Sequence, residues 1–154
     1  MNKVLSRVLI LVLLESVIAV AFTMRAVEAG IIYVPDDYPT VQKAINAASS
    51  GDTVYVRSGT YNEDIVVNKT ISLVGENKET TCIYGHGGRI AVYVEADSVV
   101  VTGFTIKSSG GQYDDGIDLN IVGNCEVSEN NVLSSFFGIG VFSCSGCTIQ
   151  DNHV

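Results

Sequence analysis

Two stretches near the C-terminus repeat one another. GIDLNIVGNCEVSENNV, from Gly116, and GIGVFSCSGCTIQDNHV, from Gly138, align without a gap at an offset of 22 residues. Cys125 falls on Cys147, Val127 on Ile149, Asn130 on Asn152 and Val132 on Val154. A looser copy, VVVTGFTI from Val99, sets Val101 on Val127 and Ile106 on Val132 at an offset of 26. The four extra residues fall in one loop, where 107–115 replaces 133–137. A fixed period near 22 built of short apolar runs predicts a solenoid with one coil per repeat.

Residues 40–49 are the one helical segment. Val41, Ala44, Ile45 and Ala48 recur at helical spacing, Thr40 is placed to cap them, and Gly51-Asp52 follows. Beyond it the pattern is strand: TVYV at 53–56, DIVV at 64–67, ISLVG at 71–75, AVYVEA at 91–96 and VVVTGFTI at 99–106. Short strands at such spacing also make sandwiches. Equivalent positions here keep their residue type, Cys over Cys and Asn over Asn, as parallel coils require and hairpins do not. In such a stack buried Asn amides can hydrogen-bond from coil to coil. The helix then serves as a lid on the open strand edges and apolar interior of the first coil.

Residues 1–29 read as a secretory signal peptide. Lys3 and Arg7 precede an apolar run over 8–22, and Val27-Glu28-Ala29 is a candidate cleavage site. A retained membrane anchor is the alternative. Residues 30–154 make one domain, destined for secretion, the periplasm or the cell surface. They keep 6 of the 9 basic and 15 of the 17 acidic side chains, a net charge of −9. That charge excludes nucleic acid as a partner and suits a glycan or another envelope component.

Four cysteines in an exported chain invite disulfides. Cys125 and Cys147 occupy the same coil position, ~4.8 Å apart with parallel side chains, so a buried thiol ladder is expected. Cys144 and Cys147 frame a Cys-Ser-Gly-Cys motif with neither a second pair nor paired histidines to complete a metal site.

YPTVQKAINAASSGDTVYVRSGTYNEDIVVNKTISLVGENKETTCIYG resembles the opening of pectin-lyase-like proteins. The resemblance implies an all-β, single-stranded right-handed parallel β-helix with an N-terminal capping helix. The Thr-Val-Gln and Gly-Asp-Thr-Val phrases are shared with pectin methylesterases. They are shared more closely with surface β-helix repeat proteins, among them the copper-binding NosD type and the carbohydrate-binding and sugar hydrolysis domain. Val154 then falls in mid-coil, so the chain is expected to be the N-terminal part of a longer protein or the product of a truncated gene, with stacking on a partner at its open end as the third alternative.

The activities of that fold can be tested against the residues. Pectin methylesterases place two glutamines on successive coils to hold an oxyanion; here Asp115 and Phe137 fall at those positions, and neither serves. Asp115-Gly116-Ile117-Asp118 resembles the acidic motif of polygalacturonases, but Phe136 and Phe137 stand where the next pair of acids belongs, and His86 lies upstream. Asp115 and Asp118 remain the only catalytic candidates. Asp114, Asp115 and Asp118 together form an acidic cluster that either holds Ca²⁺ or is a solvated turn. Lys107 is the only nearby base for a lyase. Tyr55, Tyr61, Tyr84, Tyr93 and Tyr113 are candidates to stack on sugar rings, and the candidate ligand set is Tyr93 and Tyr113 with Asp114, Asp115 and Asp118. Asn68-Lys69-Thr70 is a glycosylation sequon. His86 and His153 stand alone, which leaves a copper site without ligands. A surface module that binds carbohydrate or other envelope material is the first expectation. A remnant of a polysaccharide-active enzyme is the second, and a NosD-type copper protein the third.

Overall fold

A computed structural model describes residues 28–87, 90–108, 114–133 and 136–154. The proposed signal peptide lies almost wholly outside the described residues. The rest is a parallel β-solenoid of about five turns. After the first strand, β1 (Ile31–Val34), comes the helix α1 (Val41–Ala47), and then only strands. They are β2 (Thr53–Val56), β3 (Gly59–Asn62), β4 (Ile65–Val67), β5 (Ser72–Gly75), β6 (Thr81–Tyr84), β7 (Ile90–Val94), β8 (Val100–Thr102), β9 (Thr105–Lys107), β10 (Asp115–Gly123), β11 (Glu126–Ser128), β12 (Asn131–Leu133), β13 (Ile139–Ser145) and β14 (Thr148–Gln150). They form three parallel sheets, ordered β1-β2-β5-β8-β11-β14, β4-β7-β10-β13 and β3-β6-β9-β12.

The register is the one the repeat predicts. Val101 pairs with Val127 and Val127 with Ile149, while Ile106 pairs with Val132. Alternate residues of each strand point inward, so Leu73, Val92, Val101, Ile106, Ile117 and Leu119 are fully buried in a continuous apolar column.

The corners stack as well. Gly103, Glu129 and Asp151 lie one above another, all at positive φ, and each turns the chain after a three-residue strand. The next residue points into the core: Phe104, then Asn130, then Asn152. Asn130 is completely buried. Its Oδ1 accepts from the Phe104 N–H at 3.1 Å, and its Nδ2 donates to Val101 O and Ser128 O, both at 2.9 Å. One coil on, Asn152 Oδ1 accepts from Asn130 N and Nδ2 at 3.0 and 3.1 Å, while Asn152 Nδ2 donates to Val127 O. The left-handed corner of Glu129 costs ~1–2 kcal/mol in an L-residue, and this ladder offsets it.

One coil below Gly103, Gly75 meets the same corner. A Cβ on Gly75 would lie 2.1 Å from Gly103 O, and a Cβ on Gly103 2.5 Å from Gly75 O. The two coils interlock there backbone to backbone, which only glycine permits.

The helix closes the N-terminal end as expected, although it is two residues shorter at its C-terminus than its apolar spacing predicts. Thr40 caps it through Lys43 N. Val41, Ala44 and Ile45 seal the core. The Gln42 side chain acts as a surrogate peptide group on the free edge of β4: Val66 N donates to its Oε1 at 2.8 Å and its Nε2 donates to Val66 O at 3.2 Å. Glu63 accepts from Val41 N and Gln42 N at the helix start, and Lys69 donates to Asn46 O and Ala48 O at its end. Asp52 ties the entry together by accepting from Gly30 N and Ser49 N; those two bonds, Gly30's foremost, hold its carboxyl below the usual range.

Three expectations need correction. The run 99–106 is two strands, broken at Gly103. Because Phe104 points inward after the corner, the apolar pattern runs on through the break. Strands β3 and β6 are additional. The thiol ladder is not formed: Cys147 is disulfide-bonded to Cys144, and the corner at Gly146 brings their Cα atoms to 6.1 Å. Cys125 stays a free buried thiol directed at Ala96 O.

Replacing Asn130 by alanine strips partners from Phe104 N, Val101 O and Ser128 O together. The expected cost is about 3 kcal/mol or more, since each buried orphan costs ~1–3 kcal/mol. A fall in the urea midpoint at constant slope measures it, and a loss below about 1 kcal/mol contradicts the ladder's role.

Candidate functional site

The acidic residues singled out by the sequence lie at the start of β10, and the structure separates their roles. Asp114 is buried, and its carbonyl accepts from Phe136 N at 2.6 Å. Asp115 opens β10 opposite Ile90 of β7, and its Oδ1 accepts from Phe137 N at 3.2 Å. Both therefore anchor the chain of the next coil. Asp118 stands three residues further on, an odd spacing that turns it away from Asp115 along a strand. The three carboxylates do not converge, and among the described residues no group of three His, Cys, Asp or Glu side chains is placed to hold a metal ion. The Ca²⁺ and copper expectations thus lack a ligand set among the described residues.

Asp118 occupies the outer face of the β4-β7-β10-β13 sheet, since its neighbours Ile117 and Leu119 fill the core. Parallel register places Tyr93 of β7 on one side of it and Gly140 of β13 on the other. A Cβ on Gly140 would lie 3.3 Å from the Phe142 ring and 3.5 Å from Asp118 Oδ1, so the missing side chain leaves room for both. Two residues along, the Asn120 amide donates to the Tyr93 hydroxyl. Asp118 is 5% exposed, and among the described residues its buried Oδ1 has no hydrogen-bond partner. Burial, with a smaller contribution from the charge of Asp115, pushes its carboxyl above the usual range.

The rim of this face is apolar. Phe136 and Phe137 meet edge to face at 4.7 Å, and both rings are about half exposed, as is Phe142. Tyr113 lies outside the described residues. Lys107 pairs with Tyr84 and Leu133 on the β3-β6-β9-β12 sheet, so it shares no sheet with Asp118. His86 donates its backbone N–H to Asp64. Asn68 is exposed at the end of β4, and the Thr70 hydroxyl of its sequon donates to Asp97 O.

A second feature escaped the sequence reading. Tyr33 and Tyr55 are paired across β1 and β2, with ring centroids 5.7 Å apart. IIYV and TVYV repeat at the same 22-residue offset, so the signal was present in the period. In register they continue into Val74 and Thr102, beside a groove that Glu76, Lys78 and Glu129 line.

No family model and no curated protein matches this chain. Solved structures do. A pectin methylesterase variant in complex with a hexasaccharide aligns over 81% of this chain with a TM-score of 0.58 and 15% identity. Pectin methylesterase PemA from Erwinia chrysanthemi aligns over 81% at 0.56 and 14%, and the Aspergillus niger pectin methylesterase over 79% at 0.58 and 17%. The chain spans about half the length of each, 49%. It shares with them the right-handed parallel β-helix fold.

The raised carboxyl of Asp118 has a measurable signature. A native pKa above the unfolded value of about 3.8 means that the folded state holds the proton more tightly. This group's contribution to stability is therefore greatest below that pH and is lost as pH rises through the raised value. Asp118→Asn is expected to flatten that decline in a plot of unfolding free energy against pH. An unchanged slope contradicts the assignment.

Proposed function

We propose that this chain is an exported β-helix module that binds polysaccharide through the outer face of the β4-β7-β10-β13 sheet without acting on it. The observation that carries the reading is Asp118. It is one buried carboxyl whose Oδ1 has no partner among the described residues, set among the Tyr93–Asn120 pair and the Phe142 ring. Aromatic faces beside a fixed polar group suit a sugar ring, which presents an apolar face and a hydroxyl edge.

The same geometry argues against catalysis. Inverting hydrolysis needs two carboxylates ~6.5–9.5 Å apart with room for water. The coil above Asp118 offers Gly140, and above Asp115 it offers Phe137. Oxyanion chemistry needs donors aimed at the developing charge, and neither residue's side chain supplies one. Export to the periplasm, cell surface or medium is supported by the N-terminal sequence and by the net charge of residues 30–154. The partner is then a glycan of the envelope or surroundings, with Asn68 as an accessible sequon in a glycosylating host.

A second reading is favoured by one fact. Burial raises the Asp118 carboxyl above the usual range, the direction a general acid needs, so Asp118 fits a remnant of a polysaccharide-active enzyme.

Affinity electrophoresis through gels that contain neutral or acidic polysaccharides, with a parallel reducing-end assay, separates the readings. At least one polysaccharide is expected to retard the protein, and Tyr93→Ala with Phe142→Ala to weaken that binding about tenfold, or ~1.4 kcal/mol. No reducing ends should appear. Their release, abolished by Asp118→Asn, would favour the enzyme, and no retardation by any polysaccharide would overturn the proposal.

A further inference from the structure

We infer that the groove at the corner of the six-stranded sheet is a second saccharide site, which takes a neutral sugar unit. The inference reaches beyond the face around Asp118 and rests on the polysaccharide-binding reading only for its choice of ligand class.

The groove arises from the packing constraint already described. Gly75 and Gly103 interlock through their backbones, so neither can carry a side chain. Two successive coils are therefore bare at the same corner, and the surface sinks into a cavity of about 370 Å³. That volume lies within the ~300–1,000 Å³ of ligand pockets. Glu76, Asn77, Lys78 and Glu129 stand around the glycine floor.

Glu76 and Asn77 are held by their side chains, and Lys78 by its backbone carbonyl. Glu76 accepts from Ser58 N and Oγ, both at 2.8 Å, and the first of these bonds does most to keep its carboxyl ionised. The Thr105 hydroxyl donates to Lys78 O at 2.6 Å. Asn77 closes its own turn by accepting from Glu79 N. Glu129 is exposed on its left-handed corner.

The chemistry selects the ligand. Two carboxylates, one ammonium and one amide give donors and acceptors of both kinds and a net charge of only −1. A uronate or a phosphate would face Glu76 and Glu129. A bare cation would face Lys78. A neutral polyhydroxyl ring can use them all.

An aromatic surface adjoins the cavity. The outward column of this sheet runs in register through Tyr33, Tyr55, Val74, Thr102, Ser128 and Gln150. Arg57 sits 5.3 Å over the Tyr33 ring, and Tyr33 in turn braces Tyr55 edge to face. Tyr55 thus stands pre-ordered one strand, ~4.8 Å, from the groove wall at Val74. Five such steps make the column ~24 Å long, which accommodates an extended oligosaccharide laid across the strands.

Calorimetric titration with cellotetraose, mannotetraose, laminaritetraose and tetragalacturonate tests the site. At least one neutral tetrasaccharide is expected to bind more tightly than tetragalacturonate. Tyr55→Ala and Glu129→Gln are each expected to weaken it about tenfold, with thermal midpoints confirming the fold; Glu129→Gln is isosteric and keeps the test valid if Tyr55→Ala perturbs the sheet. Neutral binding that both variants leave untouched overturns this site. If that binding instead falls with Tyr93→Ala, the polysaccharide reading survives and only the groove is lost. Tighter binding of tetragalacturonate, or no neutral ligand at all, also overturns the inference. Loss of every interaction in the polysaccharide gels is the separate outcome that removes the parent reading.

Discussion

Register between coils is the constraint on which everything else in this molecule depends. A parallel sheet shifted by one residue would turn its whole core face outward. Here two devices hold it at the corners. Asn130 donates to Asn152 Oδ1 inside the stack while both side-chain amides satisfy backbone groups of the coil beneath. Gly75 and Gly103 lock through bare backbone. Both act where the chain turns, so short strands of three or four residues suffice between them. The Asn ladder is specific because it is buried: an amide shifted from its partners would leave orphaned groups in an apolar interior.

The same register arranges the outer surface. Once Ile117 and Leu119 point inward, Asp118 must point out, and pairing with β7 and β13 decides that Tyr93 and Gly140 flank it. Its neighbours Asp114 and Asp115 do structural work instead, holding the next coil at Phe136 and Phe137. On the six-stranded sheet, the glycine interlock that fixes the corner also empties it of side chains. A requirement of packing thereby leaves a hollow beside the aligned Tyr33 and Tyr55. Closure at the N-terminus, where Gln42 stands in for a missing strand, leaves both faces clear.

The coil period was legible because parallel stacking imposes one demand on each position of successive coils. Cys125 over Cys147, Val127 over Ile149 and Asn130 over Asn152 all followed from that. The break at Gly103 was hidden because a one-residue corner leaves the inward pattern uninterrupted. Cysteine pairing went the other way: equal coil positions favoured a ladder, and a local turn at Gly146 joined Cys144 to Cys147 instead. The acidic residues read as one cluster because they are close in sequence, whereas strand alternation and backbone anchoring divide them. Tyr33 and its pairing with Tyr55, itself a candidate from the sequence, were missed although the two share the 22-residue offset, because their partnership lies across strands.

In-register stacking builds two surface features proposed to bind saccharide, one around Asp118 and one at the Gly75–Gly103 corner. The most direct test is a map of backbone amide chemical shifts during titration with a bound oligosaccharide. Changes are expected to group at Tyr93, Asp118, Asn120, Gly140 and Phe142, and at Tyr55, Glu76, Lys78 and Glu129. Changes confined to the β3-β6-β9-β12 sheet, or none at saturating ligand, would contradict this expectation.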